Sequence, residues 1–218
     1  KMEEKTMIVL YIVITILAYL LGSISFSVII SKKMAGFDVR EKGSGNAGST
    51  NVLRTVGKKA AILTLICDIL KGVVAVGIAT IASLIWKEAN GPLLIQLAAG
   101  AVVLGHTFPI FFGFKGGKGV ATALGVLLIC NWQIGLICLV FALVIMAVTR
   151  IVSLGSIMAA ILYPVLTLFI HEHYIIAGEG NYSYLIFSIL LAILVVYNHR
   201  TNLKRILEGK ENKLSFKK

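Results

Sequence analysis

The sequence predicts an all-α integral membrane protein of seven transmembrane helices, with its N-terminus outside and its C-terminus in the cytoplasm. Three observations carry that expectation. Hydrophobic residues make up 58% of the 218-residue chain against 14% charged ones, at a mean hydropathy of +0.92, a balance foreign to water-soluble domains. Apolar stretches recur at Ile8 to Ile30, Ala60 to Trp86, Pro92 to Phe112, Gly119 to Cys130, Trp132 to Thr149, Ile151 to Ile170 and Tyr182 to Tyr197, most of them near the ~20 residues that cross a hydrocarbon core. The cationic residues are lopsided: of 21 Lys and Arg, seventeen fall between Ser31 and Lys59, at Lys115, Lys118 and Arg150, or after Tyr197. Seven crossings put all of these on one side, which the positive-inside bias makes cytoplasmic. One membrane-embedded domain over residues 1–218 is expected, with an N-terminal tail at 1–6 and a basic cytoplasmic tail at 199–218.

The first apolar stretch is too long for the core of a cleavable signal peptide and runs into a basic loop, so it is read as a retained helix. Its end, Leu21-Gly22-Ser23-Ile24-Ser25-Phe26-Ser27, is small enough for a neighbouring helix to approach closely. The second stretch carries Asp68 and Lys71, three apart on one helix face, either an ion pair or part of a polar cavity, since ionisable groups at that depth are costly. Trp86 to Pro92 reads as a tight outer turn, with proline opening the third helix. Gly119 to Cys130 is short, which predicts a tilted, interfacial or broken helix. Arg150 to Ser156 is an inner turn in which Ser153 and Ser156 could face one pocket. His171-Glu172-His173 supplies too few ligands for a metal and reads as a solvated loop. Cys67, Cys130 and Cys138 lie in apolar stretches without metal-ligand spacing and read as small buried residues.

Three polar islands interrupt this scaffold on the predicted cytoplasmic side. The first, Gly-Ser-Gly-Asn-Ala-Gly-Ser-Thr-Asn-Val-Leu-Arg from Gly43 to Arg54, frees the backbone with Gly43, Gly45 and Gly48 and adds donors on Ser44, Asn46, Ser49, Thr50, Asn51 and Arg54, the chemistry of a phosphate cradle. It matches G-x-G-x-x-G, but the charged connector Phe37 to Lys42 before it is no buried strand, which argues against a dinucleotide fold. The second runs from Gly105 to Gly119 and combines Gly113, Gly116, Gly117 and Gly119 with Lys115 and Lys118 at a helix start, where free N–H groups favour phosphate. The glycine spacing of a nucleotide-hydrolysing loop is missing. His106 is either a packing residue or a substrate contact. In the third island His199 and Asn202 are three apart and share a face if the last helix continues.

Together the islands suit phosphorylated, anionic substrates. The carboxylates of that side are Asp38, Glu41, Glu208 and Glu211, too dispersed for a metal cluster, so neither metal nor cofactor is expected. The +11 net charge is explained by topology, and nothing else supports nucleic-acid binding. An anion transporter would also use broken, glycine-rich helices, but its site would lie near the midplane with access from both sides.

The motifs Gly43 to Arg54, Gly105-His106-Thr107-Phe108-Pro109 through Gly116-Gly117-Lys118-Gly119-Val120-Ala121-Thr122, and His199-Arg200-Thr201-Asn202, in that order over nearly the whole chain, resemble the acyl-phosphate-dependent glycerol-3-phosphate acyltransferases of bacterial membranes, the PlsY family. Ser49 stands where that family usually has alanine, and Ser25 and Ser27 where it has proline and glycine. The resemblance implies transfer of a fatty acyl group from acyl phosphate to the 1-hydroxyl of glycerol 3-phosphate in the bacterial inner membrane, giving lysophosphatidic acid and phosphate, with the bilayer as partner and no obligatory protein partner. It implies catalytic roles for Ser44, Arg54, Lys118, His199 and Asn202, and substrate binding by Gly43, Gly45, Asn46, Gly48, Thr50, Asn51, His106, Lys115, Gly116, Gly117, Gly119 and Ser153. The other common acyltransferase pattern, His with Asp five residues on, is absent, so a His/Asp base is not expected. The anhydride donor is already activated and no serine sits beside an evident base, which favours direct attack without an acyl-enzyme. The base is His199 or a substrate phosphate oxygen.

Since every cysteine is expected in an apolar stretch and the carboxylates are dispersed, activity should survive both EDTA and thiol alkylation. Turnover measured before and after each treatment checks this, and loss on chelation would contradict it.

Overall fold

Across residues 2–170 and 182–214, the part of the chain that this computed structural model describes, each apolar stretch folds as helix. The elements are α1 (Met2–Gly22), α2 (Phe26–Ala35), α3 (Ser49–Thr55), α4 (Lys58–Ile85), α5 (Gly91–Thr107), α6 (Val120–Cys130), α7 (Trp132–Thr149), α8 (Val152–Phe169), α9 (Tyr182–Asn198) and α10 (Arg200–Leu207), with 3-10 turns at Val39–Glu41 and Ile110–Phe112. The protein is an all-helical integral membrane protein. Five units are long and apolar enough to cross a bilayer: α1 with α2, α4, α5 with the turn after it, α7 and α8; α9 and α10, bent by 62°, make a sixth if counted as one broken span. The described residues thus give five to six candidate spans where seven were expected. The shortfall is α6, whose 11 residues rise about 16 Å against a core of ~30 Å, together with the 17-residue α9 unless it is joined to α10. The His171-Glu172-His173 fragment lies outside the described residues.

The chain separates into two compact units, Lys1–Cys130 and Asn131–Lys218. In the first, α5 packs on α1, α4 and α6, and Leu94, Ile95, Val102 and Val103 are fully buried. Glycines let these backbones touch. A Cβ on Gly22 would overlap the Val102 carbonyl and one on Gly105 the Tyr19 carbonyl, while Gly72 and Gly125 stand in the same relation to Thr122 and Ile69 between α4 and α6. Without a hydrophobic driving force in lipid, such close approach is what holds helices together.

The break between α1 and α2 leaves carbonyls that no helix satisfies. Lys71 of α4 reaches them, its Nζ donating to the Gly22 and Ile24 oxygens at 3.0 Å each. Asp68 Oδ1 stands 3.0 Å from the same ammonium with both side chains buried, so the pair three residues apart does form.

In the second unit α8 packs on α7 and α9, and α10 contacts α8 and α9. Asn131 caps α7 by accepting the Ile134 N–H at 3.1 Å, and its amide donates to the last carbonyl after α8, that of Ile170, at 3.2 Å. Arg150 ends α7 with φ 60°, and its carbonyl accepts the Leu214 N–H at 2.7 Å. Residues 208–214 therefore return to the start of α8.

Gly105→Ala should cost about 1–3 kcal/mol of stability, as is typical of overpacking, and so lower the melting temperature in detergent. Gly77→Ala should not, because the nearest atom to its Cβ would be 3.8 Å away. Matched thermal unfolding of the two variants checks this, and equal melting would dissociate the α1–α5 approach from stability.

Candidate functional site

The first island, residues 43–54, is not a free loop. Val39, Ala47 and Val52 are buried in one apolar cluster with Val28, Ile30, Ala60 and Ala61, so the connector and the island are pinned from below. Above that floor Asn51 is the hub: its Nδ2 donates to the carbonyls of Val39, Lys42 and Asn46 at 2.9, 3.0 and 3.1 Å, and its Oδ1 accepts the Ser44 N–H at 2.9 Å. Asn51, expected among the substrate contacts, has its amide committed to the loop. Gly43 and Gly45 adopt φ +63° and +71°, a left-handed conformation that a side chain would strain. The turn leaves Ser44 exposed, with Asn46, Gly48 and Thr50 half-buried, and α3 carries Arg54 exposed in its last turn.

The second island, residues 105–119, begins at the end of α5. Gly116 N–H donates to the Thr107 carbonyl and Gly117 N–H to the His106 carbonyl, both at 3.1 Å. A Cβ on Gly116 would strike that His106 carbonyl, and one on Gly117 the His106 Nε2 edge and the Ala47 carbonyl. The inner faces of both glycines are thus filled by the protein itself, whereas the sequence reading gave those positions to a substrate anion. Gly119 turns at φ +85° into α6, leaving Lys115 exposed and Lys118 half-buried.

Two residues that the sequence reading passed over join the islands. Asp38 accepts the Arg40 backbone N–H at 3.0 Å and grips its guanidinium through Oδ1 at 3.0 Å and Oδ2 at 2.8 Å. The remaining Arg40 edge, Nη1, donates to the carbonyls of Phe112 at 2.6 Å and Lys115 at 3.2 Å. The Ala47 N–H adds a longer bond of 3.4 Å to the Gly116 carbonyl. The hydrogen bond from Arg40, against the opposing cost of burial, holds the Asp38 carboxyl down at about 2. Asp and Arg two apart in a charged connector were visible in the sequence, but their target carbonyls on a distant loop were not.

A His/Asp pair of another kind is present: His106 Nδ1 lies 3.4 Å from Asp68 Oδ1, both buried. The two come from different helices, α5 and α4, where no linear pattern could find them.

In the second unit Ser153 and Asn202 converge on Glu211, which the sequence reading counted only as a dispersed carboxylate. Glu211 Oε1 accepts from Ser153 Oγ at 2.9 Å and Asn202 Nδ2 at 2.6 Å, and Oε2 from Arg205 Nε at 2.7 Å. Burial alone would push its carboxyl up, but the bonds from Arg205, Asn202 and Ser153 together leave it below the usual glutamate range. The last helix does not continue as supposed: it bends at His199, which precedes α10. His199 is buried, with Nδ1 2.7 Å from the Val195 carbonyl. A carbonyl only accepts, so Nδ1 carries the proton and the neutral ring keeps its lone pair on Nε2.

A family profile described as "Glycerol-3-phosphate acyltransferase" matches residues 12–209. The chain is 45% identical over 208 residues to a glycerol-3-phosphate acyltransferase of Clostridioides difficile (strain 630), covering 95% of this chain and 97% of that one. It is 45% identical over 213 residues to one of Rippkaea orientalis (strain PCC 8801 / RF-1), covering 94% and 93%. Among solved structures it resembles the glycerol 3-phosphate form of PlsY (YgiH), an integral membrane glycerol 3-phosphate acyltransferase, with a TM-score of 0.81 and 40% identity over 94% of this chain and 96% of that one. The lysophosphatidic acid form of the same enzyme gives 0.79 and 38%, over 94% and 95%.

Because the folded Asp38 carboxyl lies near 2 against an ordinary 3.8, its contribution to holding the islands together is complete above the ordinary value and lost as pH falls through the folded one. Pepsin should therefore leave the connector around Phe37 intact near pH 4 and cut it increasingly as pH approaches 2. Equal cleavage at both values would mean that the Arg40 bridge does not protect it.

Proposed function

The chain belongs to the glycerol-3-phosphate acyltransferase family, and from that premise we propose that it transfers a fatty acyl group from acyl phosphate to the 1-hydroxyl of glycerol 3-phosphate, releasing lysophosphatidic acid and inorganic phosphate. The observation that carries this reading is 45% identity to the Clostridioides difficile acyltransferase over 95% of the chain, with all three polar motifs inside the matched range of 12–209. The solved relative is described in a glycerol 3-phosphate form and a lysophosphatidic acid form, the acceptor and product of this reaction.

In the proposed mechanism the acceptor hydroxyl oxygen attacks the acyl carbonyl carbon, the C–O bond to phosphate breaks, and the hydroxyl proton passes to His199 Nε2 or to a phosphate oxygen. His199 suits the first role because the Val195 carbonyl at Nδ1 commits its proton to the other side of the ring. Arg54, Lys115 and Lys118 would hold phosphates and neutralise the charge that develops on the leaving group, with Ser44, Asn46 and Thr50 as neutral donors and Gly43, Gly45, Gly48 and Gly119 admitting close approach. Asn51, His106, Gly116 and Gly117 would serve substrate through the shape of the loops. Asn202 and Ser153 would work from the Glu211 cluster, which fixes their side chains. We further propose that all seven apolar helices cross the bacterial inner membrane as one acyltransferase domain, α6 where the bilayer thins locally. That places the N-terminus outside and the islands on the cytoplasmic side, where the Lys and Arg bias puts them.

Purified protein given acyl phosphate and glycerol 3-phosphate should make lysophosphatidic acid. Arg54→Ala and His199→Ala should each lower kcat/KM by about 10²-fold or more without loss of protein from the membrane. Wild-type turnover in either variant would sink the residue assignment.

A further inference from the structure

Asp68 lies in a 28-residue apolar helix, where a carboxylate is costly and calls for a reason. Balancing Lys71 is one, but the ammonium already has two carbonyl acceptors at the α1–α2 break, and Asp68 has a second neighbour. Its Oδ1 stands 3.0 Å from Lys71 Nζ and 3.4 Å from His106 Nδ1, held to both by charge and distance rather than by an aligned hydrogen bond. An anion at Nδ1 keeps the ring proton on that side and turns the Nε2 edge outward. That edge lies against Gly117, where a Cβ would overlap it, and the carbonyl of the same residue receives the Gly117 N–H. His106 therefore holds the second glycine-rich turn with both its ring and its backbone.

We propose that Asp68 is a positioning residue for that turn: its carboxylate orients the His106 ring, and the ring keeps Gly116 and Gly117 in the conformation that presents Lys118 to the phosphate of glycerol 3-phosphate. The kinetic part rests on the acyltransferase reading above; the structural part does not. Lys71, Asp68, His106 and Gly117 form a buried polar chain from the α1–α2 break to the turn. Its four links come from α4, α5 and the loop after it, which explains why the charge pair sits at this depth rather than nearer solvent.

Asp68→Asn keeps the shape and removes the charge. In the full-length variant, amide hydrogen exchange should rise about threefold or more over residues 114–119 while α4 and residues 20–26 exchange as in wild type. The KM for glycerol 3-phosphate should rise about tenfold with the KM for acyl phosphate little changed. Faster exchange confined to α4 and residues 20–26, with an unaltered turn, would reduce Asp68 to a counter-ion for Lys71 and overturn the proposal. Should Asp68→Asn fail to fold, His106→Gln is read in the same way: a looser turn supports the proposal and an unaltered one overturns it. A wild-type protein that makes no lysophosphatidic acid counts against the acyltransferase reading alone, because the exchange measurement still decides what Asp68 does.

Discussion

The candidate site of the first unit depends on one guanidinium. Arg40 is gripped by Asp38 on one edge and donates from the other to the Phe112 and Lys115 carbonyls, so a single planar group with five fixed donors spans two loops. Those loops are rich in glycine and short polar residues and have little side-chain surface with which to pack. The bridge supplies what packing cannot. Its carboxylate is itself buried and accepts the backbone N–H of Arg40, so the anchor cannot shift without breaking the 3-10 turn that Asp38 caps. An exposed ion pair contributes little to stability; this one matters because neither partner can be replaced by water without releasing the second loop.

The motif glycines divide by what surrounds them. At Gly43, Gly116 and Gly117 the space a side chain would take is occupied by Asn51, by the His106 carbonyl and by the His106 ring. These three let the loops fold on themselves. Around Gly45 the nearest atom to a Cβ would be 3.5 Å away, and its constraint is the positive φ alone. A glycine-rich sequence motif therefore mixes two demands, self-packing and access for a ligand, and only three-dimensional neighbours separate them.

This division also marks what the sequence could reveal. Hydropathy located every apolar stretch, because burial in lipid is a property of the stretch itself, and the Asp68–Lys71 pair was legible because helix geometry relates residues three apart. Breaks in the helices were not legible. The α1–α2 break is sustained by Lys71 from another helix, and the bend at His199 accompanies a tail that returns through Glu211 and Leu214. The His106–Asp68 pair and the Ser153–Glu211–Asn202 cluster escaped for the same reason: each joins residues far apart in the chain, and no single-chain spacing encodes such a meeting. The candidate residues were read by type, since glycines, small donors and cations near a membrane boundary suit anions, and the packing role of Gly43, Gly116 and Gly117 is invisible at that level.

Backbone donors set a final constraint on how such a site can bind phosphate. The N–H groups of Ser44, Gly45, Ala47, Gly116 and Gly117 all have acceptors within the protein. An amide that already has a partner gains little by exchanging it for a ligand, so these five chiefly hold the loops in shape. On the acyltransferase reading proposed above, affinity for phosphate would then come from side-chain cations such as Arg54 and Lys118 rather than from these amides. That arrangement suits a transferase. In the proposed reaction, loops whose amides are already satisfied would keep their shape as phosphate leaves, and stabilising the developing charge would fall to side-chain cations.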